Sequence, residues 1–434
     1  MPKKVKRQQL IQEQLINHYT NSLENRNRRR VDLDMFDIEE HLYYWTIIPS
    51  LTPNQPAKRL ILPIGSIIIQ FLGLVKYMIL LFVGYDDFWV YWLGDITVDF
   101  GNAKDYCDLC FAIWALSTIT SQICFVSSYL KNNLYWLTIF RLFNQPPPRI
   151  FKSSLQKNVF TQIYPKMVKI CRIGWYMLIV TTSGMILASL VLLRFGFVYL
   201  ITIGFIQTLL SLSNCYITTV FVGLISIIFS LVCNQYRLWC RLIKQNLVNY
   251  EKRNIRRIAT SQSTVNHLHF YQFIIREYCC FHNDLLHATK FWNRSISGLF
   301  LGCSASSVLV VYLYFFVDME PSTAIAITIF GLCTFFNGCL INVLAPANFR
   351  HNLQRLSHPM HRLMRLDLSI GMKLGLTVIL DDIINNQCFT CYGMFQYNYM
   401  LMIRLLLELS TLMLLLISSK NGSKTYNINI NQLN

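Results

Sequence analysis

The fold turns on one stretch, Gly174–Cys233, GWYMLIVTTSGMILASLVLLRFGFVYLITIGFIQTLLSLSNCYITTVFVGLISIIFSLVC, sixty residues with one charge, Arg194. A helix needs about 20 apolar residues to cross a bilayer core, so the stretch holds either two spans and a short loop or three spans and none. The basic residues elsewhere decide between these readings, because Lys and Arg beside membrane spans stay in the cytoplasm. With two spans, about Gly174–Leu193 and Leu209–Cys233, the chain has seven apolar runs. The segments before run 1 and after runs 2, 4 and 6 then hold 10, 8, 10 and 5 Lys and Arg, whereas those after runs 1, 3, 5 and 7 hold 1, 1, 0 and 2. Three spans would put the ten basic residues of 234–294 outside. Two are therefore expected, and with them an all-α, seven-transmembrane protein with its N-terminus cytoplasmic and its C-terminus extracellular.

The other spans are expected at about Leu60–Gly84, Leu109–Leu130, Ser297–Val317, Thr323–Leu344 and Gly393–Ile417. Residues 1–59 form a cytoplasmic segment, 60–417 the membrane domain and 418–434 an extracellular tail. Cytoplasmic loops are expected at 131–172, 234–294 and 345–390. The apolar spacing of Leu238, Leu242 and Leu247 reads as span 4 running on as a helix. A second cytoplasmic helix is expected at Thr264–Lys290 and a third within 345–390. Lys76, near the outer end of span 1, is expected to snorkel to the headgroups.

Composition excludes several classes. Of 434 residues, 53% are hydrophobic and 14% charged, against about a quarter charged in soluble domains. The net charge of +17 sits in the cytoplasmic loops, where anionic membrane lipid is the counter-charge; no nucleic-acid partner is expected. The start MPKKVKRQQLIQEQL lacks the apolar core of a cleavable signal peptide. Most of the 14 cysteines lie in spans or in a reducing compartment, so no disulfide framework is expected. The pairs Cys107/Cys110 and Cys388/Cys391 fall on opposite membrane faces and cannot share an ion. His358 and His361 could share a helix face, but read as solvated or packed. No metal or cofactor site, no catalytic constellation and hence no enzyme is expected.

Within the spans, Arg404 and Glu408 lie four residues apart and so on one face of span 7. Charges at membrane depth pair with one another or face a water-filled cavity, and either role fits. Thr118, Thr120, Ser121, Gln122, Asn214, Asn337 and Asn342 have the usual role of interhelical hydrogen bonding. Some could instead line a ligand pocket with Trp114, Tyr312 and Phe336. The sequon Asn421-Gly422-Ser423 in the tail agrees with an outside C-terminus, as glycosylation needs; Asn293-Arg294-Ser295 would be cytoplasmic and unused.

Seven spans with the N-terminus inside, a short outer tail and long cytoplasmic helices resemble the insect gustatory receptor family of the gustatory and odorant receptor superfamily. That family's seventh span carries Thr-Tyr, five apolar residues and Gln-Phe. Here Thr411 and Leu412 precede Met413-Leu414-Leu415-Leu416-Ile417 and then Ser418-Ser419, entered through Gly393-Met394-Phe395 and Asn398. A second copy, Thr425-Tyr426 to Gln432-Leu433, has a polar middle outside any span. The resemblance implies a ligand-gated non-selective cation channel, opened by a small tastant, in the plasma membrane of sensory neurons. It implies a homo- or hetero-tetramer with related subunits around a pore lined by Arg404, Glu408, Thr411, Leu412, Leu415, Ser418 and Ser419. Ser418 and Ser419 replace the family's Gln and bulky residue, which would leave the pore wider or shift the constriction to Leu415 or Leu412. The alternatives are a non-channel seven-helix protein, such as a transporter, and a G-protein-coupled receptor, which predicts an outside N-terminus.

Overall fold

The structure, a computed structural model, describes residues 58–83, 87–131, 195–255, 263–365, 368–385 and 388–433, with isolated positions 169, 176, 179 and 183. Nearly all of the expected cytoplasmic segment 1–59 and of the loop 131–172 lies outside the described residues, as does most of the span Gly174–Leu193.

Apolar composition and few breakers make the described chain almost entirely helical. Helix α1 covers Lys58–Val83, α2 Asp87–Leu93 and α3 Lys104–Leu130, with a 3-10 turn Val98–Ala103 before α3. Helix α4 runs over 197–255 and α5 over Ser263–Phe316. Helix α6 covers 321–354, α7 Ser357–Met364, α8 Ile370–Asn385 and α9 Tyr399–Leu433. Wider π turns interrupt α4 at Leu200–Gly204 and Val220–Ile225 and α6 at Phe335–Ile341. Among the described residues five stretches are long and apolar enough to cross a membrane: Leu60–Val83, Phe100–Leu130, Phe197–Glu251, Phe270–Phe316 and Ile327–Met364. Helix α9, with Arg404 and Glu408 in its first three turns, is not among the five.

The expected joins and breaks fare differently. Span 4 does run on, unbroken, to Ile255, but its helix starts at Phe197, not Leu209, directly after Gly196 at φ +98°. No residue between 197 and 209 stops a helix, so the loop assigned there is itself helical. Span 5 and the cytoplasmic helix before it are one 54-residue element, because nothing between Lys290 and Ser297 breaks it. The turn before α6 is where the sequence puts it: Pro321 opens the helix behind an extended Glu320, since proline fits the first helical position.

The region 345–390 is not one helix. Helix α6 ends at Gln354, and α7 and α8 follow as separate pieces. The chain then forms a two-stranded antiparallel hairpin, β1 Thr390–Cys391 against β2 Phe395–Gln396. Its turn holds Tyr392 at φ 47° and Gly393 at φ 79°, so Gly393 belongs to a turn, and the helix expected from Gly393 begins later, at Tyr399. Asn398 caps that helix, its Oδ1 accepting from the Leu401 N–H at 2.8 Å, which satisfies one of the free donors of the first turn. The helix passes the expected end at Ile417 and continues to Leu433.

The main core gathers the 229–247 part of α4, the 274–303 part of α5, the ends of α6, α7 and α8, and the hairpin. Its aromatic side chains meet edge to face, as their quadrupoles favour: Phe229 on Phe389 at 5.2 Å, Trp239 on Phe281 at 5.5 Å, and Phe300 on Tyr397 at 5.6 Å. At the other end of α1, α3 and α5 the buried clusters are small, around Leu80, Ile96 and Leu313.

Asn293 locks the hairpin to α5. Its amide donates to Thr390 Oγ1 at 3.0 Å and its Oδ1 accepts from the Thr390 N–H at 3.1 Å, while Ser297 Oγ accepts from the Tyr392 N–H at 3.0 Å. The sequon at Asn293 is thus a structural clamp. Asn293→Ala leaves a buried N–H and hydroxyl without partners, at a cost of about 1–3 kcal/mol. The thermal midpoint of the solubilised protein should fall, and Asn293→Asp, which keeps the acceptor, should fall less. Equal losses in the two variants would argue against the clamp.

Candidate functional site

Three groupings of polar side chains stand out from the apolar frame. The first is a layer across α1, α3 and α4. Thr118 Oγ1 lies 3.2 Å from Gln70 Oε1, and Gln70 Nε2 donates to the Asn214 carbonyl at 2.9 Å. Ser121 meets Ser295 of α5 at 2.8 Å, and Asn342 Nδ2 donates to Ser226 Oγ at 3.0 Å. Thr118, Ser121 and Asn342 therefore do join helices, whereas Thr120 bonds back to its own helix at the Ser117 carbonyl.

Beside these bonds lie buried groups with no partner among the described residues. Both amide atoms of Gln122, the indole Nε1 of Trp114 and Asn214 Oδ1 are buried without a hydrogen bond. Trp114, Thr118 and Gln122 recur every four residues and share a face of α3. The Trp114 ring sits 4.4 Å from Phe330 of α6 and 5.7 Å from Phe111. Unpartnered polar atoms at this depth cost free energy, and their usual explanation is a bound molecule or ordered water. An aromatic wall with a free donor and a free amide suits a small, mostly apolar molecule carrying a hydrogen-bonding group. Of the other expected pocket aromatics, Tyr312 stacks on Phe316 at 5.0 Å and faces Tyr106, and Phe336 is exposed.

The second grouping is charged and wholly buried. Lys104 Nζ lies 3.3 Å from Asp95 Oδ2, 3.4 Å from Asp108 Oδ2 and 3.4 Å from the Leu80 carbonyl. Thr97 closes the cluster, with its N–H 2.8 Å from Asp95 Oδ1 and its Oγ1 3.0 Å from Asp108 Oδ1. Lys76 joins the same end and does not snorkel. It is 3% exposed and donates to the Gly94 carbonyl at 3.2 Å and Ser211 Oγ at 3.1 Å. The segment after α2 folds back over the end of α1 and covers it. Gly94 makes that possible: it sits at φ +58°, and a Cβ there would stand 2.6 Å from Gln207.

The third is α9. Leu401, Leu405, Leu409 and Leu412 are half-buried and lie on one side, where the helix packs on α5 and α6. Arg404, Glu408, Thr411, Leu415 and Ser418 recur at spacings of four, three, four and three, forming one stripe about 100° around the helix from that side. All five are exposed, Leu415 at 63%, beside Leu407 and Leu414 at 60% and 67%. Arg404 and Glu408 form no ion pair with each other among the described residues. Leu412 lies on the packed side. The side chains of Ser419 and Asn421 lie outside the described residues, although the helical backbone includes both.

No family model matches the sequence, and no curated protein matches it. Solved structures do. The insect olfactory receptor OR5 from Machilis hrabei, in complex with eugenol, superposes with a TM-score of 0.62 over 91% of this chain and 100% of that one, at 11% identity. A second structure of the same receptor gives 0.60 over 90% and 99%, at 12% identity. The chain has the fold of an insect olfactory receptor.

Within the olfactory-receptor fold, Arg404, Glu408, Thr411, Leu415 and Ser418 fall on the α9 stripe and Trp114, Thr118 and Gln122 on one face of α3, whereas Leu412, Tyr312 and Phe336 lie apart from both. The charged cluster was missed because its loop reads as six aspartates around one lysine. The available signal was the spacing of Lys104 and Asp108, four residues apart at the mouth of a span. The two CxxC pairs are indeed separate, Cys107 packing with Leu313 and the Cys388/Cys391 pair lying in the main core. Burial pushes the Cys388 thiol up to about 12, so it stays protonated and poorly reactive at neutral pH. His358 and His361 are both exposed on α7.

Proposed function

We propose that the chain is a gustatory-type chemoreceptor: a ligand-gated, non-selective cation channel with seven spans, N-terminus inside and C-terminus outside. Four copies, or this chain with related subunits, assemble with their α9 helices around a central pore. One observation carries the reading. Among the described residues α9 leaves Ile403, Leu406, Leu407, Leu414 and Leu415 exposed, and an exposed apolar patch of this kind marks an interaction site. In a tetramer the stripe of Arg404, Glu408, Thr411, Leu415 and Ser418 lines the axis, with Leu412 and Ser419 at its margin. The opening ligand is a small organic molecule seated by Trp114, Gln122 and Asn214. The eugenol bound to OR5, a small phenol, has the chemistry such a site accepts.

The direct test is the mass of the purified chain together with cation currents in cells co-expressing a related subunit. Tetramers and ligand-evoked currents are expected; a monodisperse monomer without current sinks the proposal. Topology is tested separately by tagging each end and labelling intact cells. Only the C-terminal tag should be labelled, and Asn421→Gln should abolish an endoglycosidase-sensitive mass shift. A labelled N-terminal tag would favour a G-protein-coupled receptor instead.

A further inference from the structure

Helix α4 carries a basic face with no counter-charge among the described residues. Asn234, Arg237, Arg241 and Lys244 follow one another at spacings of three, four and three residues, and so lie on one side of the helix. The apolar run of α4 ends at Cys233, so Arg237 sits about 6 Å beyond it at a rise of 1.5 Å per residue. That is headgroup depth. Arg237 is half-buried, and among the described residues its Nε is buried with no hydrogen-bond partner, while its Nη2 donates to the neighbouring Asn234. Arg241 Nε donates to Asn352 Oδ1 of α6 at 3.2 Å. Arg237 also stands within electrostatic reach of Arg241 and of Tyr399, the first residue of α9, and His351 packs against the Tyr399 ring at 6.2 Å.

Among the described residues no carboxylate pairs with this face. The chain has no Asp or Glu between Asp108 and Glu251, none in 321–356 and none in 388–407. Glu251, two turns beyond Lys244, is 3.6 Å from Arg362 of α7. Among the described residues no ion pair involves Arg237, Arg241 or Lys244. A guanidinium nitrogen left buried and unbonded is costly, and two adjacent guanidinium groups with a lysine match the oxygens of a phosphate better than any neutral group.

We propose that Arg237, Arg241, Lys244 and Asn352 bind a phosphate-bearing anionic lipid headgroup. The bound lipid bridges α4 and α6 beside the first turn of α9. Its assignment to the cytoplasmic leaflet, the anionic one, rests on the topology proposed above; the chemistry of the site does not.

The test uses the full chain in an uncharged detergent, reading the thermal midpoint against ligand concentration. The probes are short-chain phosphatidylinositol bisphosphate, short-chain phosphatidylcholine and inorganic phosphate. The phosphoinositide should raise the midpoint at lower concentration than phosphate, and phosphatidylcholine should not raise it. Arg237→Gln with Arg241→Gln should weaken the phosphoinositide effect by about tenfold or more, the change expected on losing a charge-assisted contact. Arg241→Gln alone, at an exposed position, should weaken it less, and Arg365→Gln, outside the cluster, should not. The unliganded midpoint of Arg237→Gln should hold or rise, since an uncompensated charge is removed; a purely structural arginine would lower it.

Equal shifts from phosphate and phosphoinositide would overturn the lipid, leaving a free-anion site. An undiminished shift in the double variant, or the same loss in Arg365→Gln, would overturn the site itself. Because the readout needs neither current nor oligomer, a silent channel leaves it unaffected. Reversed tags would move only the leaflet.

Discussion

Lys104→Met is expected to be among the most damaging single substitutions in this protein. It removes the cation from between two buried carboxylates, Asp95 and Asp108, which are 1% and 0% exposed. Breaking a buried ion pair from one side costs about 3–5 kcal/mol, which rivals the whole stability of many proteins. The thermal midpoint should collapse and little protein should reach the cell surface. Asp108→Asn should be milder, because Lys104 keeps Asp95 at 3.3 Å and Thr97 can still bond the amide. The double variant Lys104→Met with Asp108→Asn should lose less than the sum of the two, because the second change removes a charge that the first left stranded. Strict additivity would show that the two residues do not act as a pair.

The second large effect concerns α9. In the proposed channel, Leu415 from each copy closes on the axis, and truncating it to alanine removes about three carbons per copy. At about 0.8 kcal/mol per buried methylene, the closed state loses about 2 kcal/mol per subunit, enough to shift the closed–open balance by more than tenfold. Leu415→Ala should therefore leak without ligand. Ser418→Cys should be blocked by a membrane-impermeant thiol reagent, while Ser418→Ala should not. The parent chain sets the background, since Cys279 and Cys333 are exposed, whereas Cys388 is buried and its thiol protonated. If neither leak nor block appears in an assembly that conducts, α9 does not line the pore.

How far the sequence could be read depended on the range of the forces involved. Long helices were legible because a bilayer-length apolar run has few other solutions, and the break at Pro321 because proline punctuates locally. Spacing alone put Arg404 and Glu408 on one face of α9, while the other stripe residues came from the resemblance, which also took in Leu412 on the packed side. The burial of Lys76 was not, because nothing near it in the chain says that the segment after α2 will fold back to cover it. The hairpin was hidden for a similar reason: Thr390–Gln396 is held by Asn293 and Ser297, nearly a hundred residues away. Nor could spacing tell bonded from unbonded polar residues. Thr118 and Gln122 sit one turn apart with similar chemistry, and only packing decides that one finds Gln70 and the other finds no partner among the described residues.

The clamp between hairpin and α5 also limits how α9 can move. Its first residue follows a strand pair pinned to α5 through Thr390 and Tyr392, and its first turn is stoppered by Asn398. A rod anchored at its base in this way has no freedom to slide along its own length. Any displacement of its far end must come from tilting or bending about that base, so a small rotation near Tyr399 sweeps a wide arc at Ser418. The conformational work is concentrated at a fulcrum, and the lever arm is the helix itself.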